Sequence, residues 1–158
     1  MDIGQVDAAL ACDEVLHPFR VLYPQCDFRL QIDGSVSGEW DRKRLQQMLA
    51  NLVRNAAQHG DMTRPITLSA RRLDDTVVFK VHNYGAPIPS SQISHVFNPM
   101  QQGERRNDPT SLGLGLYIAS TIAKGHAGTL AVASSEAEGT TFTATLPRAH
   151  RESVTSEA

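Results

Sequence analysis

The stretch that decides the fold runs from Asp41 to Gly60 and reads DRKRLQQMLANLVRNAAQHG. Its apolar residues recur at intervals of three and four, at Leu45, Leu49, Leu52 and Ala56. This spacing is typical of the buried face of an amphipathic helix. Asp41 is a suitable N-cap, and Gly60 is a suitable residue to end the helix. We therefore predict one long helix from Asp41 to His59.

Two asparagines lie well inside this helix, although the asparagine amide competes for backbone partners and disfavours helix. At about 100° per residue, Asn51 and Asn55 share a polar stripe with Arg44 and Gln58, beside the apolar face. His59 lies on the border between the two faces. Such a stripe suits the wall of a pocket, where a neutral carbonyl oxygen can complete the oxygen shell of a phosphate-bound cation. A solvated helix flank with two accidental asparagines is the alternative that this segment leaves open.

The rest of the chain reads as further helices and strands. A first helix is predicted over 5–23, with apolar positions at Val6, Leu10, Val15, Phe19 and Leu22. A short helix is predicted at 93–96, and a longer one begins at LGLGL and ends near His126. Alternating residues predict strands at 28–32, 66–72, 77–83, 128–135 and 139–147, with a turn at 33–38. Because the order is mixed, we predict a helix layer on a mixed sheet.

The composition limits the classes of function. The 158 residues, of which 41% are apolar and 20% charged, suit one domain with a single core. A formal net charge of −2 gives no general attraction to nucleic acid or to an anionic membrane. No apolar run has the length of a membrane span, no signal peptide opens the sequence, and Cys12 and Cys26 suggest no disulfide or metal site. We expect a cytoplasmic domain without nucleic-acid partners or direct membrane contact.

A second signal comes from SLGLGLYIAS at 111–120. Gly113 and Gly115 stand where a loop becomes a helix. Glycines there let backbone N–H groups approach an anion, and the helix N-terminus adds a partial positive charge. The segment matches neither the GxxxxGK[ST] phosphate loop nor a dinucleotide fingerprint, so alone it is only a weak indication of phosphate binding.

Taken together and in order, these segments resemble the ATP-binding domain of sensor histidine kinases, in the wider class of gyrase, heat-shock chaperone and mismatch-repair ATPases. The resemblance covers about residues 10–147. The Asp41–Gly60 helix resembles the N box. The other matches are VHNYGAPIP (81–89) with the first glycine box, VFNPM (96–100) with the F box, SLGLGLYIASTIAKGHAGTLAV (111–132) with the second glycine box, and EGTTFTATLP (138–147) with the last motif.

The resemblance implies an α/β (α+β) two-layer sandwich of the Bergerat type. In this fold a mixed, mostly antiparallel sheet of about five strands is covered on one face by about three helices. ATP binds between the long helix and a mobile lid. Residues 1–147 would form the ATP-binding catalytic domain, with 1–9 as a remnant of the linker from a missing dimerisation domain. Residues 148–158 lack apolar content and are expected to form a disordered tail.

The resemblance also assigns roles to residues at matching positions. Asn55 matches the magnesium ligand, and Asn51 is expected to support it as a second catalytic residue. Arg105 lies in the lid (98–112), where it or Arg106 would stabilise charge on the γ-phosphate; a solvated loop is the alternative. The implied ATP-binding residues are Asn55, Gln58, His59, Asn83, Gly85, Pro87, Ile88, Gly113, Leu114, Gly115, Leu116 and Thr140. The Thr140 hydroxyl could equally face water.

The implied reaction is binding of ATP with Mg²⁺ and transfer of the γ-phosphate to a histidine on a separate helical-hairpin dimerisation domain. A response regulator would then receive the phosphate, and any membrane anchor would belong to the parent kinase. No such hairpin is found in this chain, since His17 lacks its charged flank and length. A related ATPase would place a glutamate one turn before Asn55. Asn51 stands there instead, which favours transfer over hydrolysis.

The sequence departs from the family pattern at the first glycine box, which usually reads Asp-x-Gly-x-Gly. Its aspartate accepts a hydrogen bond from the adenine amino group, whereas Asn83 stands here and Pro87 replaces a glycine. Asn83 can still accept through its side-chain oxygen, at a cost of about 1 kcal/mol for the lost charge. Met100 stands where phenylalanine is common. Two alternatives remain: a degenerate module that binds partners without turnover, and a serine kinase of the anti-sigma-factor type.

Overall fold

The computed structural model describes residues 1–98 and 113–150, in which helices lie on one face of a sheet. The elements in chain order are β1 (Ile3–Asp7), α1 (Ala8–Leu22), β2 (Phe28–Asp33), β3 (Ser37–Asp41), α2 (Arg42–His59), β4 (Ile66–Leu73), β5 (Thr76–Asn83), α3 (Ser90–Ile93), α4 (Gly113–Gly125), β6 (Thr129–Ser135) and β7 (Gly139–Pro147). None of the helices in these two ranges combines the length and the apolar character needed to cross a membrane.

The main sheet has five strands in the order β2-β4-β5-β7-β6. β2 runs parallel to β4, and all other neighbours are antiparallel. Along β5, the side chains of Val77, Phe79 and Val81 are fully buried beneath the helices, while the residues between them point to the more exposed face. The predicted mixed, mostly antiparallel sheet with helices on one face is therefore confirmed.

Helix α2 forms where the sequence predicts it. Its four apolar positions, Leu45, Leu49, Leu52 and Ala56, are all buried. The Asp41 carboxylate caps the helix by accepting the Arg44 N–H at 3.2 Å, and Gly60 follows its last residue. Burial acts to raise the pKa of Asp41, but bonds from the N–H groups of Asp2 and Arg44 and the nearby Arg44 guanidinium outweigh it. The pKa of Asp41 consequently lies below its ordinary value.

Helix α4 is hydrogen-bonded near its start to the middle of α2, and at its end to Asp41, the residue that caps α2. Near its start, the carbonyl of Gly115 accepts a hydrogen bond from the Asn51 amide. At its end, the buried His126 ring donates from Nδ1 to the Ile122 carbonyl and accepts the Asp41 N–H at Nε2, 3.1 Å away. These bonds fix the beginning of α4 against the middle of α2, where the two asparagines lie.

The N-terminal segment differs from the prediction. Residues 3–7 form β1, which pairs with β3, so the helix predicted from residue 5 begins at Ala8. Two of its expected core positions, Leu10 and Leu22, are exposed. The buried face is formed instead by Ala8, Ala11, Cys12, Val15, Leu16 and Phe19. A linker role for 1–9 stays a prediction, although Val6 in this segment is buried in the core.

Three smaller predictions also need correction. The turn predicted at 33–38 includes the start of β3, a strand that was not predicted. The short helix occupies Ser90–Ile93 rather than 93–96. Residues 148–150 are not a disordered tail, because Arg148 and His150 bond to β3; residues 151–158 lie outside the described ranges.

Cys12, as expected, is an inert core residue, and burial with nearby Asp7 raises the pKa of its thiol to about 12.

Candidate active site

Both polar atoms of the Asn51 side chain make hydrogen bonds within the protein. It is 8% exposed and lies in the part of α2 that faces α4. Its Nδ2 donates to the Gly115 carbonyl at 3.1 Å, and its Oδ1 accepts from the Arg54 guanidinium at 3.0 Å. Both polar atoms of the amide therefore have partners, which suits a residue that positions others and does not suit a direct metal ligand.

Asn55, one turn later, is equally buried but differently bonded. It is 8% exposed, and within the described part of the chain its side chain makes no hydrogen bond. Buried amides normally have partners, so this side chain is an exception that calls for a ligand. A neutral amide oxygen is a ligand that Mg²⁺ accepts. The residue present at this position therefore fits the magnesium ligand that the sequence predicts.

The polar stripe on α2 is buried only in its middle. Arg44 near the start, and Gln58 and His59 at the end, are exposed. Only Asn51 and Asn55 are covered, at the level where α4 packs on α2. A solvated flank is thus wrong for the two asparagines and correct for Arg44. The ATP contacts predicted for Gln58 and His59 stay predictions.

Asn83 ends β5 and begins the predicted first glycine box. It is 5% exposed, and its Nδ2 donates to the carbonyl of Tyr84 at 3.0 Å. The same carbonyl accepts the N–H of Asp61 at 2.7 Å. Gly85 has φ +136°, and an added Cβ would lie 3.0 Å from the Asp61 nitrogen, so glycine is required there. Hydrogen bonds from the side chain and backbone of Thr63 lower the pKa of the Asp61 carboxyl.

Thr140 lies directly beside Asn83 in the sheet, as its antiparallel partner on β7. It is 4% exposed, so the alternative that its hydroxyl faces water is wrong. Its Oγ1 lies 2.6 Å from Ser134 Oγ on β6, and that oxygen accepts the N–H of Ile88 at 2.9 Å. Ser134 thereby joins the glycine-proline turn to the last two strands. Pro87, one residue earlier, is exposed.

The residues predicted around the second glycine box have different surroundings. Leu116 is buried in the core, whereas Leu114 is 63% exposed. An added Cβ at Gly115 would lie 4.0 Å from Asn51, which is an ordinary contact, so packing alone does not require glycine. Gly113 is the first residue of α4. Phosphate contacts by these backbone groups stay a prediction, and Arg105, Arg106 and Met100 lie outside the described residues.

Three residues that support the site were missed in the sequence. Arg54 follows Asn51 by three residues, a spacing that places it beside Asn51 on a helix. Ser134 occupies an alternate position of β6 that faces the helices, where a serine among apolar residues was a usable signal. Asp61 acts through its backbone N–H, which any residue except proline would supply, so its side chain gave no sign.

Comparison with known proteins places this site in a family. Residues 40–150 match the family described as histidine kinase-, DNA gyrase B-, and HSP90-like ATPase. The chain is 30% identical over 133 residues to a bacteriophytochrome of Pseudomonas aeruginosa, covering 83% of this chain and 18% of that protein. It is 38% identical over 153 residues to the probable sensor histidine kinase TcrY of Mycobacterium tuberculosis, covering 93% and 31%. The chain thus spans less than a third of each relative.

The structure is also similar to the nucleotide-free catalytic domain of histidine kinase ThkA. The TM-score is 0.82 at 26% identity, and the match covers 96% of this chain and all of that one. The order of the motifs, the paired asparagines of α2 and these similarities agree. The chain belongs to the family of histidine kinase-, DNA gyrase B- and HSP90-like ATPases, and within it to the histidine kinase catalytic domains.

Proposed function

We propose that this domain binds ATP with Mg²⁺ against α2, the turn after β5 and the start of α4, and passes the γ-phosphate to a histidine on a separate phosphoacceptor domain. The observation that carries this proposal is the Asn55 side chain, which is 8% exposed and has no hydrogen bond among the described residues. Asn51, beside it, has both polar atoms bonded. Leaving a buried amide unpaired costs about 1–3 kcal/mol unless a ligand uses it.

The described residues contain no group of three or more His, Cys, Asp or Glu side chains that could hold a metal ion. Asn55 can therefore supply one oxygen, and the phosphates of the nucleotide would supply others. This fits a cation that arrives with ATP, because Mg²⁺ is usually held by few protein ligands together with phosphates. Once bound, Mg²⁺ neutralises charge on the phosphates during transfer.

Transfer to an external group is favoured over hydrolysis because α2 offers no base at the matching position. The amide of Asn51 cannot take a proton from water, and its oxygen already accepts from Arg54. Catalysis would then rest on positioning, with the imidazole of the partner attacking in line. Arg105 is proposed to stabilise charge on the γ-phosphate from the lid.

Binding is tested by calorimetric titration with a non-hydrolysable ATP analogue, with and without Mg²⁺. For the native chain we expect binding that depends on Mg²⁺. Asn55→Ala should weaken it about tenfold or more, as expected for loss of a hydrogen bond or ligand in a buried site. Gln47→Ala, at an exposed position of the same helix, is the matched control and should bind normally. No heat at millimolar analogue would contradict the proposal.

Transfer is tested with radiolabelled ATP and a purified helical-hairpin phosphoacceptor domain added to the native chain. Label on the hairpin that is lost in acid and retained in alkali would identify phosphohistidine. Label that resists acid would instead support the serine kinase alternative. Binding of the analogue without any transfer to the hairpin would support a module that binds partners without turnover.

A further inference from the structure

A groove of about 530 Å³ lies between α1 and α2, and none of the residues predicted to bind ATP lines it. On α2 its lining runs from Lys43 to Arg54. Because an α-helix rises about 1.5 Å per residue, these two positions are about 16 Å apart along the helix axis, or three turns. A groove of this length, with a helix on either side, has the dimensions to receive one helix of another protein.

The α1 side of the groove is apolar. Val15 and Phe19 line it and are buried, whereas Leu22, at the end of α1, lines it and is 68% exposed. On α2 the half-buried Ala50 also lines the groove, and its small side chain leaves room above it. Covering an exposed leucine with apolar surface is favourable, so this lining provides the apolar centre that helix binding requires.

The two ends of the α2 side are positively charged. Lys43 and Arg54 are exposed, and within residues 1–98 and 113–150 no carboxylate lies within ion-pair distance of either. Arg54 is bonded to the neutral amide oxygen of Asn51, which leaves its charge uncompensated. The neighbouring Arg42, in contrast, pairs with Glu14. These two cations are therefore available to acidic groups of a ligand.

Glu14 is the one acidic side chain among the described residues that line the groove, and its charge is already compensated. Its carboxylate accepts hydrogen bonds from Gln46 Nε2 at 2.9 Å and from the Arg42 guanidinium. These bonds lower the pKa of Glu14, so it stays ionised and paired at neutral pH. The uncompensated charge of the groove is consequently positive.

We propose that the groove between α1 and α2 is a docking site for an amphipathic helix of a partner protein, with aliphatic side chains on one face and acidic side chains beside them. The aliphatic face would lie on Phe19 and Leu22. Acidic residues about three turns apart would meet Lys43 and Arg54. Charge complementarity selects this partner, because a basic helix would bring like charges together. The proposal does not depend on nucleotide binding.

Docking is tested by fluorescence anisotropy of a labelled peptide titrated with the full chain in low salt. The probe is a synthetic helix of about 14 residues, long enough to span the groove, with leucines at intervals of three and four and glutamates beside them. We expect saturable binding that weakens with added salt. The same peptide with lysines in place of the glutamates should bind about tenfold more weakly.

Two variants locate the binding in the groove. Lys43→Glu should weaken binding of the glutamate peptide about tenfold and strengthen binding of the lysine peptide. It lies in the first turn of α2, where a negative charge favours the helix, so the fold should be kept. Leu22→Ala should weaken binding of both peptides severalfold through lost apolar contact. Lys80→Glu, an equal charge change on the outer face of the sheet, is the matched control and should bind as the native chain does.

Each contrary outcome overturns the proposal in a different way. Absence of binding at millimolar glutamate peptide would show that the groove does not dock such a helix. Equal binding of both peptides, or no effect of Lys43→Glu, would remove the preference for an acidic partner. A dimer of the native chain in sedimentation that Leu22→Ala abolishes would assign the groove to a second copy instead. Calorimetry of Lys43→Glu with the ATP analogue and Mg²⁺ should match the native chain, so these outcomes leave the proposed function to its own test.

Discussion

Asn51 and Asn55 are identical residues one turn apart, yet their surroundings give them different tasks. The Asn51 amide joins α2 to α4 through the Gly115 carbonyl, and its oxygen is bonded to Arg54. The Asn55 amide has no such link in the described part of the chain. The helix tolerates Asn51 because its amide bonds to α4 and to Arg54. On the proposed function, it keeps Asn55 for a ligand.

Substitution should separate the two tasks. Asn51→Ala leaves the Gly115 carbonyl without its donor, so we expect the free energy of unfolding to fall by about 1–3 kcal/mol. Asn55→Ala removes no bond within the described protein, so it should not lower the stability, while it weakens magnesium-dependent binding about tenfold or more. Urea denaturation and calorimetry measure the two effects. The division would be refuted if Asn51→Ala kept full stability and lost binding as completely as Asn55→Ala.

The sequence motifs identify candidate site residues but not the hydrogen bonds that these residues make. The motifs pointed to Asn51, Asn55, Asn83 and Thr140, and all four are buried. The sequence could not predict which of their side-chain atoms lack a hydrogen-bond partner. The partners belong to other elements: the Gly115 carbonyl for Asn51, and Ser134 for Thr140. A local sequence pattern contains no information about such contacts.

For individual helices and strands, the accuracy of the prediction depended on whether the stabilising contacts are close together in the sequence. Helix α2 has an internal periodicity, a cap and a stop within twenty residues, so its sequence is sufficient. β1 and β3 are five residues each, and their paired residues are 30 to 38 positions apart in the sequence. Gly38 and the turn residues before it obscure the strand pattern of β3 in the sequence. Glycine is needed at position 38 because any Cβ there would clash with the Trp40 ring. These two strands are therefore stabilised by tertiary contacts, which the local sequence does not reveal.

The cap of α2 predicts a pH dependence of stability. The pKa of Asp41 is lowered in the folded protein, so its carboxylate stabilises the fold above its ordinary pKa of 3.8 and ceases to do so as the pH falls through the lower folded value. We expect stability to decrease more steeply on acidification in the native chain than in Asp41→Asn, which can still cap the helix without charge. Urea midpoints between about pH 5 and pH 3 measure this difference.

Asp41→Ala serves as the comparison, since it removes both the charge and the cap and should be destabilised by about 1 kcal/mol at neutral pH. Parallel pH profiles for the native chain and Asp41→Asn would show that the Asp41 carboxylate does not contribute through its charge.

At the scale of the whole molecule, the β1–β3 pair closes the fold by bonding to the end of β7. The indole N–H of Trp40 donates to the Pro147 carbonyl at 2.8 Å. Arg148 accepts the Glu39 N–H through its carbonyl and donates from Nε to the Ser37 carbonyl. The last residues of the described chain therefore hold the first strands in place, beyond the point where the sequence motifs end.

This closure predicts that the folded domain extends past Pro147. A chain ending at 147 loses the backbone and side-chain bonds of Arg148, and we expect it to be about 2 kcal/mol less stable. A chain ending at 150 keeps them and should match the full sequence, because Val154 and Ala158 are the only apolar residues in 151–158. Trp40, the single tryptophan and 1% exposed, reports unfolding by the red shift of its fluorescence in urea. Equal midpoints for the 147 and 150 chains would show that the boundary at Pro147, which the motifs suggested, is the correct one.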